Sequence, residues 1–278
     1  MTDSPRSDRS TWARLTPYEV GIPGRAFADE NFEAIREEAE VRGVDPTDPG
    51  AFLMLGQVGR VLGELQGGER GADALQRFGA FLFHAFHFHR AGEPLFLLGT
   101  DTVRELAEGE PAAAEWSGEL PSDAGYLQLP RHLVWSHPDP EAPPEDLDGI
   151  FWTRSAGETL SLMPALGVRP DRPGISVVPL PPLSLADAGG WLGARAREEG
   201  QGEDFETTLP GGELDRLYSV VTVGEVLKLA ARVLHRIHTR PELVGSEERA
   251  PHPDELAGEE GAGAQRVRPS LLPFRRIG

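Results

Sequence analysis

Short apolar runs gather in one central region of the chain, with helical patterns on both sides. The runs are YLQLPRHLVWSH (126–137), GIFWTR (149–154), TLSLMPAL (159–166) and GISVVPL (174–180), and Pro, Gly and Asp turns separate them. Strands that cluster between helical blocks are typical of an α+β fold, because a doubly wound sheet alternates single strands with single helices. We therefore predict an α+β fold with a central antiparallel β-meander of three to five strands.

Helical periodicity dominates the chain before the strands. Apolar residues recur at spacings of three and four, and residues that favour helix ends flank each segment. The pattern predicts a helix over 29–42 that Gly43 ends, a helix after the Asp48-Pro49 pair, and a helix that begins near Ala72. A shorter helix is predicted over 101–108.

A second helical block follows the strands. Residues 184–198 suggest a short helix, and Thr222 and Glu225 match the T-x-x-E capping box of a longer one. Ala230 and Leu234 lie on the apolar stripe of that longer helix, which Pro241 ends. We expect these C-terminal helices to pack on the sheet.

The layout predicts one folded domain between two loose ends. The predicted divisions are a flexible arm over 1–24, a single α+β domain over 25–240 (helical over 25–120, β-rich over 121–183, helical over 184–240), and a disordered tail over 241–278. No internal repeat divides the domain further.

Charge segregation marks the tail. Residues 241–260 hold seven acids and one arginine, whereas residues 261–278 hold four arginines and no acid. An acidic tether with a basic-hydrophobic tip is typical of a peptide that docks on a partner. A free tail, or one that folds back on its own acidic body, is the alternative. The side chains predicted to contact a partner are Arg266, Arg268, Leu271, Leu272, Phe274, Arg275 and Arg276.

Composition excludes several classes of function. The net charge of −18, from 27 basic and 45 acidic residues, opposes direct binding to nucleic-acid phosphates. With no cysteine, a disulfide framework and a thiol nucleophile are both excluded. No apolar run approaches the length of a membrane helix, and the polar N-terminus has no signal-peptide core. We expect a cytoplasmic protein.

The segment FLFHAFHFHR (81–90) is the richest in chemically versatile side chains. On a helix, His84 and His87 project to the side opposite Phe86 and His89, so the three imidazoles cannot converge on one ion. We predict that His84 and His87 form a polar face toward loops or solvent, and that His89 lies at the core edge with a backbone partner. The alternative is that His84 and His87 supply half of a metal site.

The remaining motifs name no reaction. PEDLDG (144–149) is predicted to be a solvated turn, and no P-loop or G-x-S-x-G elbow is present. We therefore predict a non-catalytic, cofactor-free protein that binds another protein through its acidic surface and C-terminal tail. The alternatives are a metal-dependent hydrolase that uses His84 and His87, and an acidic mimic of nucleic acid.

Overall fold

A computed structural model describes residues 12–66, 71–108, 118–131, 135–136, 145–166, 176–177, 183–185, 229–251 and 269–278. Of the predicted helix over 184–198, only residues 184 and 185 are described, and Ser184 belongs to the strand Leu183–Ser184, so the prediction is wrong at that residue. The rest of that helix and the predicted helix start at Thr222 lie outside the described residues. Helices and strands segregate along the chain, and the predicted α+β class is confirmed.

In the described part of the chain, six α-helices precede or interrupt the first strands, and a seventh lies near the C-terminus. They are α1 (Pro17–Gly21), α2 (Arg25–Arg42), α3 (Pro49–Leu53), α4 (Gly56–Leu65), α5 (Ala72–Arg90), α6 (Thr100–Glu108) and α7, whose described part is 229–239. Asp48 caps α3 as predicted, because its carboxylate accepts hydrogen bonds from the N–H groups of Gly50 and Ala51. Within the described part of the chain, no helix has the length and apolar character needed to span a bilayer.

The strands form one mixed sheet. They are β1 (Leu95–Leu98), β2 (Ala124–Gln128), β3 (Trp135–Ser136), β4 (Glu145–Ser155), β5 (Thr159–Leu166), β6 (Ser176–Val177), β7 (Leu183–Ser184), β8 (Val244–Glu248) and β9 (Phe274–Ile277). Their order is β6-β5-β4-β2-β1-β9-β8, with β3 beside β4 and β7 beside β5. The predicted antiparallel meander is confirmed for β2, β4, β5 and β6. Parallel pairing of β1 with β2 and with β9 extends the sheet beyond that prediction.

Successive side chains along the strands point to opposite faces of the sheet and contribute to two separate hydrophobic cores. Phe151 on β4 packs with α2, α3, α4 and α5, whereas its neighbour Trp152 packs with α6 and α7 on the opposite face. The sheet is therefore the middle of three layers. Both faces are covered, so β1, β2 and β5 are almost wholly buried.

The helix α5 lies between the sheet and the other N-terminal helices. Phe86 contacts the rings of Phe32 and Phe52 from α2 and α3, and Phe88 contacts the ring of Phe151 in the sheet. All residues from Phe81 to Phe86 are buried, so this half of the helix has no solvent-facing side. That position decides the environment of its three histidines.

The prediction of a loose arm over 1–24 is wrong for its described residues. Ala13 is fully buried, and Arg14 forms an ion pair with Asp148 of β4. A capping box between Thr16 and Glu19 starts α1. These residues are ordered because they cover the end of the sheet and satisfy its polar groups.

The prediction of a disordered tail is likewise wrong for residues 269–278. Phe274 and Ile277 are buried, and β9 lies between β1 and β8 inside the sheet. The domain therefore does not end at residue 240. Residues 252–268, which include Arg266 and Arg268, lie outside the described residues.

Candidate functional site

His84 faces the sheet. Its Nδ1 and Oγ1 of Thr153 share a hydrogen bond of 2.8 Å, and only 4% of the residue is exposed. Burial, followed by the nearby His87, lowers the pKa of His84 to about 3, so the imidazole is neutral at neutral pH. The prediction that it faces loops or solvent is wrong, because the helix side opposite Phe86 is covered by strands.

His87 faces the loop before α3, as predicted. Its Nε2–H donates to the carbonyl oxygen of Pro46 at 3.0 Å. Burial is the main reason that its pKa falls to about 4, although the hydrogen bond to Pro46 acts in the opposite direction.

The metal-site alternative gains no geometric support. His84 and His87 each use a ring nitrogen in a hydrogen bond to a different element of the fold. Among the residues that the structure describes, no group of three or more His, Asp or Glu side chains is arranged to hold a metal ion. The hydrolase alternative would need such a group.

His89 belongs to a network that the sequence did not indicate. Its Nδ1 lies 2.9 Å from the hydroxyl of Tyr18 and 3.0 Å from Oε1 of Glu93, and its Nε2 lies 3.1 Å from Oδ1 of Asp29. The core-edge position was predicted correctly, but the partners are side chains rather than a backbone group. The pair Gly92-Glu93, which ends α5 with both residues at positive φ, was the available signal.

Burial and hydrogen bonds together set the pKa values of Glu93 and Tyr18 in this network. Burial by itself raises the pKa of Glu93, but hydrogen bonds from His89 and Tyr18 outweigh it, and the pKa lies below its ordinary value. Burial and then the charge of Glu93 raise the pKa of Tyr18. Glu93 is therefore a buried carboxylate that fixes the positions of α1 and the end of α5.

An open cleft of about 390 Å³ adjoins this network. Its lining is Asp29, Phe32, Glu33, Arg36, His89 and Arg90. Arg36 is already engaged by Glu33 and Glu40, at 2.6 Å and 2.8 Å. The charges in the cleft thus balance one another largely within the protein, which disfavours it as a site for a strongly charged ligand.

The C-terminal side chains that were predicted to contact a partner have mixed positions. Phe274 is buried in the sheet, so the prediction is wrong for that residue. Arg276 pairs with Glu248 at 3.0 Å and lies over the ring of Phe274, while Leu272 packs against the core. Leu271 is 60% exposed and Arg275 is exposed. For these two, contact with a partner stays a prediction.

Exposed apolar side chains concentrate in the N-terminal helices. Five large apolar side chains are exposed among the described residues, and four of them belong to α2, to α5 or to the segment that ends α3. These four, hereafter the apolar patch, are Val41 (86% exposed), Leu53 (42%), Met54 (75%) and Leu75 (52%).

The segment that ends α3 contacts both α5 and the end of α2, and these contacts bring the residues of the apolar patch near one another. Leu53 Cδ2 lies 3.0 Å from the position that a Cβ on Gly79 would occupy, so it rests on α5 one turn beyond Leu75. At the other end, the guanidinium of Arg42 donates to the carbonyl oxygen of Met54 at 3.1 Å, which joins the end of α2 to the end of α3. The patch therefore spans three neighbouring helices.

Acidic side chains outnumber basic ones in the N-terminal helices that carry most of the apolar patch. Between residues 25 and 66 the chain has nine acidic residues and four arginines, a net charge of −5. Glu30 and Glu37 are exposed and recur with Val41 at spacings of seven and four, so they form one row along α2 that leads to the patch. We call Glu30 and Glu37 the acidic row.

Comparisons with known proteins give little guidance. No protein-family model matches the chain, and the comparison with curated proteins found no match. Among solved structures, the crystal structure of AcrVA2 is similar, at a TM-score of 0.44 and 13% sequence identity, over 91% of this chain and 79% of that one. A likeness of this degree supports no conclusion about what this chain does.

Proposed function

We propose that this protein is a non-catalytic regulatory protein that binds another protein through the acidic surface of its N-terminal helices. The observation that carries the proposal is the acidic row beside the apolar patch on α2. Protein interfaces commonly combine an apolar centre with a polar rim, and a field of one sign steers a partner of the opposite sign. The expected location remains the cytoplasm.

The C-terminal tip has a smaller role in this proposal than the sequence suggested. Phe274 holds the tip in the sheet, so only exposed side chains such as Leu271 and Arg275 could reach a partner from it. The N-terminal helices offer a larger exposed apolar area. Interaction there requires no rearrangement of the fold.

The test is to reverse charge at two places and compare what co-purifies. Glu30→Lys with Glu37→Lys changes the acidic row, and Glu242→Lys with Glu247→Lys makes the same change in net charge near β8. All four side chains are exposed, so both variants should fold. Tagged proteins would be recovered from the native cell, and their partners quantified by mass spectrometry.

The two variants separate location from overall charge. A partner that is lost with the acidic-row variant and kept with the β8 variant supports binding at the N-terminal helices. Equal recovery of every partner with wild type and both variants would exclude this surface as the binding site.

A further inference from the structure

The side chains of the apolar patch are exposed, but the helices that carry them are held together by hydrogen bonds. Val41 on α2 and Met54 at the end of α3 are largely exposed. The backbone that carries them is nevertheless held in place, because α2 is hydrogen-bonded to the residues that follow Met54. The carboxylate of Glu38 on α2 accepts hydrogen bonds from the backbone N–H groups of Gly56 and Gln57 at the start of α4, at 2.8 Å and 2.7 Å. A patch on such a scaffold is already organised before a partner arrives.

The absence of a Cβ at Gly79 shapes the patch. Leu53 Cδ2 occupies the space beside Gly79, and a Cβ there would be 3.0 Å from it. Leu53 therefore packs partly against α5 and is 42% exposed, whereas Met54 and Leu75 are 75% and 52% exposed. Exposed apolar side chains on adjoining helices can bury apolar side chains of a partner.

Charge decides what kind of segment would carry that side chain. The acidic row approaches the patch along α2, and neither Glu30 nor Glu37 makes an ion pair with another described residue. A segment that placed arginine or lysine beside its apolar residues would therefore gain two ionic contacts without breaking any. An acidic segment, or a second copy of this acidic chain, would meet repulsion.

We propose that the apolar patch is the docking site for a cationic amphipathic segment of a partner protein, with its apolar side chains on Leu53, Met54 and Leu75 and its cations on Glu30 and Glu37. This inference rests on the proposed function and deepens it. The charges bring the segment to the surface, and burial of the patch holds it there.

The experiment uses the full chain and a defined probe. The probe is a fluorescent synthetic peptide of leucine and arginine with apolar residues at helical spacing, and its control is a scrambled peptide of the same composition. Binding is measured by anisotropy at physiological ionic strength. Met54→Ser with Leu75→Ser tests the patch, and Leu271→Ser tests the exposed C-terminal tip as the competing surface.

The expected result is preferential binding of the amphipathic peptide to wild type. The double serine variant should weaken binding roughly tenfold or more, as for the central residues of an interface. A loss with Leu271→Ser and none with the double serine variant would place the peptide on the C-terminal tip and overturn the inference. Thermal unfolding followed by circular dichroism should be the same for all three proteins, since the substituted side chains are exposed.

Other outcomes overturn the inference. Equal binding of the scrambled peptide would mean that charge alone attracts the probe. Self-association of wild type that disappears with Met54→Ser and Leu75→Ser would identify a second copy as the occupant. If a native partner is lost with the acidic-row variant but kept with the double serine variant, the proposed function survives and this docking site does not.

Discussion

Arg14 and Asp148 form an ion pair with the guanidinium Nη2 2.8 Å from Oδ1, across 134 residues of sequence. Both side chains are nearly buried, at 11% and 7% exposed. The second carboxylate oxygen of Asp148 accepts a hydrogen bond of 2.7 Å from the hydroxyl of buried Tyr126. Asp148 lies where the register of β4 shifts, between Leu147 and Gly149, so a β-bulge places this carboxylate under the N-terminal segment.

Replacing Asp148 with asparagine should destabilise the fold. The change keeps the size of the side chain but leaves the charge of Arg14 buried without a counter-ion, and removing one partner of a buried ion pair typically costs about 3 kcal/mol or more. Urea unfolding of Asp148→Asn should show the loss. Asp123→Asn is the matched control, because Asp123 pairs with Arg154 at 3.1 Å but is 83% exposed. Its cost should be at most about 1 kcal/mol. An equal loss of stability in Asp148→Asn and Asp123→Asn would contradict the argument that burial makes the ion pair of Asp148 costly to break.

Gly149, the residue after Asp148, should tolerate no side chain. A Cβ there would lie 2.2 Å from the carbonyl oxygen of Leu127 and 2.6 Å from the Tyr126 ring, and the first of these is backbone that cannot move aside. Gly149→Ala should therefore destabilise by about 3 kcal/mol or more, or prevent folding. Gly245→Ala in β8 meets nothing closer than 3.5 Å and should change stability much less. Thermal melts of the two variants, compared with wild type, check the difference.

The network around Asp148 also illustrates what the sequence could not indicate. PEDLDG was predicted to be a solvated turn because Asp and Gly favour turns. In the structure, Glu145 already belongs to β4 and Asp148 is buried, because its counter-ion arrives from residue 14. A local pattern carries no information about a partner so distant along the chain.

Local periodicity did predict the elements that satisfy their own hydrogen bonds or pair with a sequence neighbour. The helices α2 and α5 and the hairpin of β4 and β5 were placed within a few residues. The strands β1 and β9 were missed, since Leu95 pairs with Phe274 from the far end of the chain. The helical wheel gave the direction of His84 correctly, but not that the sheet lies there.

Replacement by glycine should change the free energy of unfolding in opposite directions at two non-glycine residues with positive φ. Among the described residues, these are Glu93 (φ 60°) and Glu158 (φ 52°). Glu93→Gly removes a buried carboxylate that faces His89 and Tyr18, so we expect a loss of about 2 kcal/mol despite the relief of backbone strain. The side chain of Glu158 is 75% exposed and its pair with Arg154 is weak, so Glu158→Gly should be neutral or stabilising by about 0.5 kcal/mol. Guanidinium unfolding measures both, and a large loss for Glu158→Gly would contradict the argument.

Acid should weaken the fold through His84 and His87 before it acts on the carboxylates. Burial, with smaller contributions from neighbouring charges, lowers the pKa of His84 to about 3 and that of His87 to about 4, against about 6.5 in an unfolded chain. Between these values the unfolded chain binds more protons than the folded one. Stability is therefore complete above about pH 6.5 and falls by about 1.4 kcal/mol per pH unit for each histidine as the pH decreases toward 4 and 3.

The measurement is the free energy of unfolding in urea between about pH 6.5 and pH 5, above the range where unfolded carboxylates titrate. His84→Asn keeps a polar atom near the position of Nδ1 beside Thr153, and His87→Gln keeps one near Nε2 beside Pro46, so both variants preserve the hydrogen bonds without a titrating ring. Each should reduce the slope by about 1.4 kcal/mol per pH unit, and the double variant should remove most of it. A double variant with the wild-type slope would mean that other groups take up the protons, and that His84 beside the sheet and His87 beside the loop before α3 are not held neutral in the folded state.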